Sequence, residues 1–162
     1  MTTKLANGLK GTTVSISPVP KFNELPIDIA TQIIYDRVVT VCEEKRVKLS
    51  WEGNHSPLGR KEIAVYYRKK QQRILFNVEM VQIAFEVLDD LIIRSRNYNK
   101  TKNSTDISQD VTQYCKEFIS NGDLIVAMLL KGYWARFGKK RMLQNAHFNV
   151  SLMRKAYPAE ED

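Results

Sequence analysis

The sequence predicts a mainly α chain: a compact helical bundle of five or six helices, with one short N-terminal strand or arm. Three observations lead there. Apolar residues recur at steps of three and four over residues 76–92, and again over 107–137. No Gly or Pro interrupts residues 60–95. The stretches between periodic segments are mostly short, which suits helices packed as a bundle.

Residues 1–25 are polar and irregular, with Gly8, Gly11, Pro18 and Pro20, and read as a flexible N-terminal arm. The alternation Val14-Ser15-Ile16-Ser17 also fits a short edge strand. The prolines flanking Val19 weigh against a central one. A single helical domain follows over residues 26–157. Its first helix starts near Pro26, since proline suits a first turn. Ile29, Ile33, Ile34, Val38 and Val41 then recur at helical spacing, and a strand over 46–51 is an alternative ending. Residues 53–59 read as a loop.

A second helix is expected over 60–72 and a third from Phe76, with Met80, Ile83, Ala84, Val87, Leu88, Leu91 and Ile92 on its buried stripe. The two are continuous in pattern. Residues 97–104 are polar and unpatterned, hence a loop. Asp106 and Gln109 resemble a capping box for a helix carrying Val111, Tyr114, Cys115 and Phe118, which Asn121-Gly122 would stop. Asp123 would cap the next helix, whose core contacts are Leu124, Ala127, Met128, Leu130 and Trp134, ending at Gly138. A short helix over 149–156 and an acidic tail over 158–162 complete the expectation.

The net charge of +7 bears on partners rather than on fold. It is unevenly spread. Residues 60–73 hold six Lys or Arg against one Glu, and residues 131–141 hold five with no acid. Both stretches also carry aromatics. Phosphates attract such charges, and bases stack on such rings. The candidate nucleic-acid-binding residues are therefore Arg60, Lys61, Arg68, Lys69, Lys70, Arg73, Arg136, Lys139, Lys140 and Arg141. Tyr66, Tyr67, Trp134 and Phe137 are assigned to core packing, the ordinary use of large aromatics. The competing interpretation of the charges is a solvated face whose long stems cover apolar surface.

Other chemistry is thin. Residues 109–137 match helix–turn–helix spacing, but the start of the second helix is too apolar to read base edges. Cys42, His55, Cys115 and His147 lack the close pair spacing of a zinc site, so no metal or cofactor is expected. His55 is the best general-base candidate, yet nothing pairs it with a nucleophile, and no catalytic residue is assigned. Residues 53–61 lack the Lys-Ser/Thr end of a phosphate-cradling loop. Residues 1–11 contain no long apolar core, so no secretory signal is expected. Residues 124–130 are far short of a bilayer span and apolar on all sides, which reads as buried interior or a homo-oligomer interface.

The leading expectation is a cytoplasmic, non-enzymatic nucleic-acid-binding accessory, regulatory or packaging protein that grips DNA or RNA by the phosphate backbone. The alternative is an adaptor or inhibitor that binds an acidic protein surface.

Overall fold

A helix that is apolar all round has to be enclosed. The computed structural model describes residues 11–45, 47–50, 53–55, 76–138 and 145–152, and in it every residue from Gly122 to Leu130 is buried. What encloses that helix is a mixed α/β shell. In chain order it comprises β1 (Gly11–Val14) and a helix α1 that runs through three consecutive segments, Ile27–Ile33, Ile34–Val39 and Thr40–Lys45. The strands β2 (Lys48–Ser50) and β3 (Gly53–His55) follow, then α2 (Val78–Leu91), β4 (Ile92–Arg94) and α3 (Ser104–Cys115). The enclosed helix is α4 (Asn121–Leu130), followed by β5 (Ala135–Gly138), β6 (Ala146–Phe148) and β7 (Val150–Leu152).

The helical bundle is thus overturned. Four helices share the core with short antiparallel strands, in one three-stranded sheet of order β1-β5-β6 and two ladders, β2-β3 and β4-β7. β6 and β7 are two halves of one bent path. The first half pairs with β5 and the second with β4. Asn149 sits at the bend, 2% exposed, where Ser95 N donates to its carbonyl at 2.8 Å and its side chain accepts from Trp134 N at 2.7 Å. A buried bend needs such bonds, because unpaired backbone groups in a core are costly.

Several helices form where the spacing predicts. α1 begins directly after Pro26, and its buried stripe is Ala30, Ile34, Val38 and Cys42. The middle segment, Ile34–Val39, is a π-helix, a wider turn within the α-helical run. α2 buries Val81, Ala84, Phe85, Leu88 and Leu91, while Met80, Ile83 and Val87 are partly buried against the same core. α4 packs most extensively on α2.

The helix ends differ from expectation for local reasons. Asn103, not Asp106, caps α3: its side chain accepts from Thr105 N and Asp106 N, and the Asp106 carboxylate reaches back to Asn103 N at 2.9 Å. α3 stops at Lys116, in the left-handed region at φ 60°, which leaves Phe118 73% exposed. Asn121-Gly122 opens α4 rather than ending α3, with Ser120 as its cap. α4 ends at Leu130, not Gly138. Gly132 turns the chain with φ +81°, and a Cβ there would lie 2.4 Å from Pro18 Cγ. Beyond it Ala135 and Phe137 point inward and Arg136 outward, a strand's period of two.

Residues 150–152 are strand, not helix, and residues 53–55 pair with β2 instead of looping. Within the expected arm, β1 is ordered on β5. The expected second helix over 60–72 and the acidic tail lie outside the described residues.

Candidate functional site

Of the ten cationic residues singled out by the sequence, the described residues include one, Arg136. Arg60, Lys61, Arg68, Lys69, Lys70, Arg73, Lys139, Lys140 and Arg141 lie outside them. The described residues carry 11 Lys and Arg against 13 Asp and Glu. A strongly basic body is therefore a second correction: the chain's excess of positive charge belongs to sequence beyond this framework.

Arg136 stands on the outer side of β5, opposite Thr13 on β1 and His147 on β6. Its neighbours Ala135 and Phe137 are buried, and so are Ala146 and Phe148 across the pair. The alternation obliges Arg136 and His147 to share the outward face. The guanidinium lies 4.1 Å from the centre of the Tyr98 ring. Among the described residues Arg136 has no carboxylate within ion-pair range.

The loop that brings Tyr98 there is tied to the bent strand. Asn99 N donates to Phe148 O at 2.8 Å, and Asn99 Nδ2 to Val150 O at 3.4 Å. Its Oδ1 accepts from Thr101 N and Lys102 N, folding the loop on itself. His147 Nδ1 lies 2.8 Å from Asn99 O. A carbonyl only accepts, so that bond places the proton on Nδ1 and leaves Nε2 as an acceptor in the neutral ring.

The sequence places a loop over residues 97–104, but its charges were not singled out as a site. Residues 94–102 hold Arg94, Arg96, Lys100 and Lys102 with Tyr98 and no acid, the same cation-and-ring mixture as the two stretches it did single out. Composition was the available signal. Arg96 and Lys100 are exposed, whereas Lys102 is paired with Asp110 at 2.6 Å. Trp134, expected in the core, is 47% exposed at the start of β5, while Phe137 is buried as expected. Half of an indole in water, two residues from Arg136, is a surface on which a planar group can stack.

No other chemistry gathers. Among the described residues no three His, Cys, Asp or Glu side chains come together as a metal site. None of the described helices is long and apolar enough to cross a membrane. Cys42 is buried and Cys115 half-buried. His55 falls in β3, paired with Lys48 across the ladder. No protein-family model, curated protein or solved structure matches this chain.

Proposed function

We propose that this chain binds nucleic acid through the phosphate backbone, along the edge formed by the loop over residues 95–102 and the outer side of β5. What supports this is one contact: Arg136, with no carboxylate partner among the described residues, laid over Tyr98 of a loop whose Arg96 and Lys100 are exposed. Arg96, Lys100 and Arg136 supply positive charge, while Tyr98 and Trp134 supply planar surface. Lys139, Lys140 and Arg141 follow β5 directly in sequence. Affinity of this kind comes from counterion release and positions the protein without specifying bases. No catalytic step is involved.

The test is fluorescence anisotropy with single- and double-stranded DNA and RNA at two salt concentrations. Binding should fall steeply with salt, by roughly tenfold or more between about 50 and 200 mM if several phosphates are contacted. Single strands should also quench Trp134, read against a Trp134→Phe variant, because bases stack on exposed rings. Retention of every nucleic acid at high salt, or of none at low salt, removes the proposal. In the second case an acidic protein partner takes its place.

A further inference from the structure

A separate cleft of about 460 Å³ opens between the strap Pro18–Lys21, α2, β4 and the turn after α4. That volume falls within the ~300–1,000 Å³ typical of small-molecule sites. Its wall is fixed in place. Val19 N donates to Leu130 O at 2.7 Å, and Pro18 packs onto Gly132 where only a glycine leaves room.

Two cations line the cleft, each held by neighbouring groups. The Lys131 side chain is only 10% exposed; its ammonium sits 4.0 Å from the centre of the Phe85 ring and 2.9 Å from Asp89. The Arg94 guanidinium lies 4.6 Å from the centre of the Tyr133 ring and donates to Gly132 O and Lys131 O at 2.8 and 2.9 Å. A guanidinium has five N–H donors and an ammonium three, so these contacts leave donors on both. Capping the end of α4 accounts for two of Arg94's five. Lys21 adds a third cation at the rim. The acids on the lining, Glu86 and Asp89, are both exposed on α2. Three cations and two acids thus line the cleft, with Lys21 also 3.7 Å from Glu24, and the more enclosed of the charged groups is the ammonium.

We infer that this cleft binds a small organic anion, with a phosphate or carboxylate held by Arg94 and Lys131 and an apolar body against Pro18, Pro20 and Tyr133. Charge-assisted bonds from a preoriented fork and a point charge suit both oxyanions.

The test is an amide and guanidinium NMR titration of the full chain with phenyl phosphate, benzoate, inorganic phosphate and, as the uncharged control, benzyl alcohol. Saturable shifts at Lys131, Gly132, Tyr133 and the Arg94 Nε–H with either aromatic anion, and none with the alcohol, are expected. The two aromatic anions tell phosphate from carboxylate, and inorganic phosphate measures what the body adds. Lys131→Met keeps the stem on Phe85 and should weaken binding about tenfold or more. Lys21→Gln, at an exposed rim position where it removes only a surface ion pair with Glu24, should weaken it about twofold, and Glu86→Gln should strengthen it. Absence of saturable shifts overturns the inference, as does equal binding of the alcohol. If Lys131→Met does not fold, unchanged affinity in both rim variants overturns it alone. None of these probes is a nucleic acid, so failure here leaves the backbone-binding proposal standing.

Discussion

Arg94 and Arg136 make the same contact, a guanidinium laid on a tyrosine ring, at 4.6 and 4.1 Å from the ring centre. Their surroundings differ. The ring under Arg94 is Tyr133, 5% exposed, and two of the arginine's N–H groups are committed to the carbonyls that end α4. Burial pushes the Tyr133 hydroxyl pKa up, while the Arg94 guanidinium beside it pulls it down. The ring under Arg136 is the half-buried Tyr98, and among the described residues the arginine has no carboxylate in ion-pair range. One pair closes a turn of the fold. The other holds a half-buried guanidinium that has no carboxylate partner among the described residues. A cation over a ring is thus neither structural nor functional by itself; what decides is where the remaining N–H groups go.

The largest effect should come from the turn beneath the anchored pair. Gly132→Ala puts a side chain at φ +81° and a Cβ within 2.4 Å of a proline ring that has little freedom to yield. Left-handed strain and overpacking each cost about 1–3 kcal/mol. A Tm fall on the order of 10 °C is expected for a chain of this size. A fall of only a degree or two would mean that the turn rearranges freely and that Arg94 is not anchored by it.

Acid probes the opposite end of α4, away from both arginine pairs. Asp123 is 3% exposed, accepting from Asn77 N at 2.9 Å and from Ser120 Oγ at 2.7 Å. Burial raises its pKa from 3.8 to about 6, against the pull of those two bonds. Below 3.8 the carboxyl is protonated in both folded and unfolded chains. Between 3.8 and about 6 the unfolded chain releases the proton first, so this group's contribution to stability declines as pH rises through that window and is lost above it. The change is on the order of 3 kcal/mol. Asp123→Asn keeps an acceptor for Asn77 and should be flat across the window. The difference in denaturation midpoint between the two proteins from pH 4 to 7 reads it directly, and parallel curves would contradict it.

Arg94→Ala should come next, at about 1.5–3 kcal/mol, the range for hydrogen bonds to charged groups. Nucleic-acid affinity should change little beyond the loss of one charge. A chain that unfolds at the same denaturant concentration without Arg94 would erase the contrast with Arg136.

Sequence legibility follows the same divide. α2 is long enough to show its period, because fourteen residues complete several helical turns, and α4 stands out as an unbroken apolar run. The strands have only three or four residues each, so alternation barely completes two periods. Ala135-Arg136-Phe137 and Ala146-His147-Phe148 do alternate, but neither run is separable by pattern alone from a helix end or a loop. Gly132 was the stronger clue, since a glycine after an apolar helix is a common stop. Of the candidate site, Arg136 was legible from clustered charge. Its meeting with Tyr98 was not, because the pairing runs through the bend at Asn149 and links residues 38 positions apart. Arg94's anchoring was equally hidden, since it depends on where two backbone carbonyls point.

The smallest stability effect, and the one that tests the contrast most closely, belongs to Arg136→Ala. Arg136 is half-buried, and a cation over a ring there contributes roughly 0.5–2 kcal/mol. The residue's buried neighbours Ala135 and Phe137 hold β5 in place without it. The midpoint should therefore move by less than it does for Arg94→Ala. Affinity for nucleic acid should fall similarly for unrelated sequences, and the dependence of log K on log salt should flatten by about one contact. Tyr98→Leu separates the ring from the charge. It should preserve the salt slope while reducing single-strand binding by about 1–3 kcal/mol if bases stack there. A large loss of stability in Arg136→Ala, with the salt slope intact, would reverse the assignment: Arg136 would then be the structural member of the two pairs, and the proposed edge would lose the cation on which it rests.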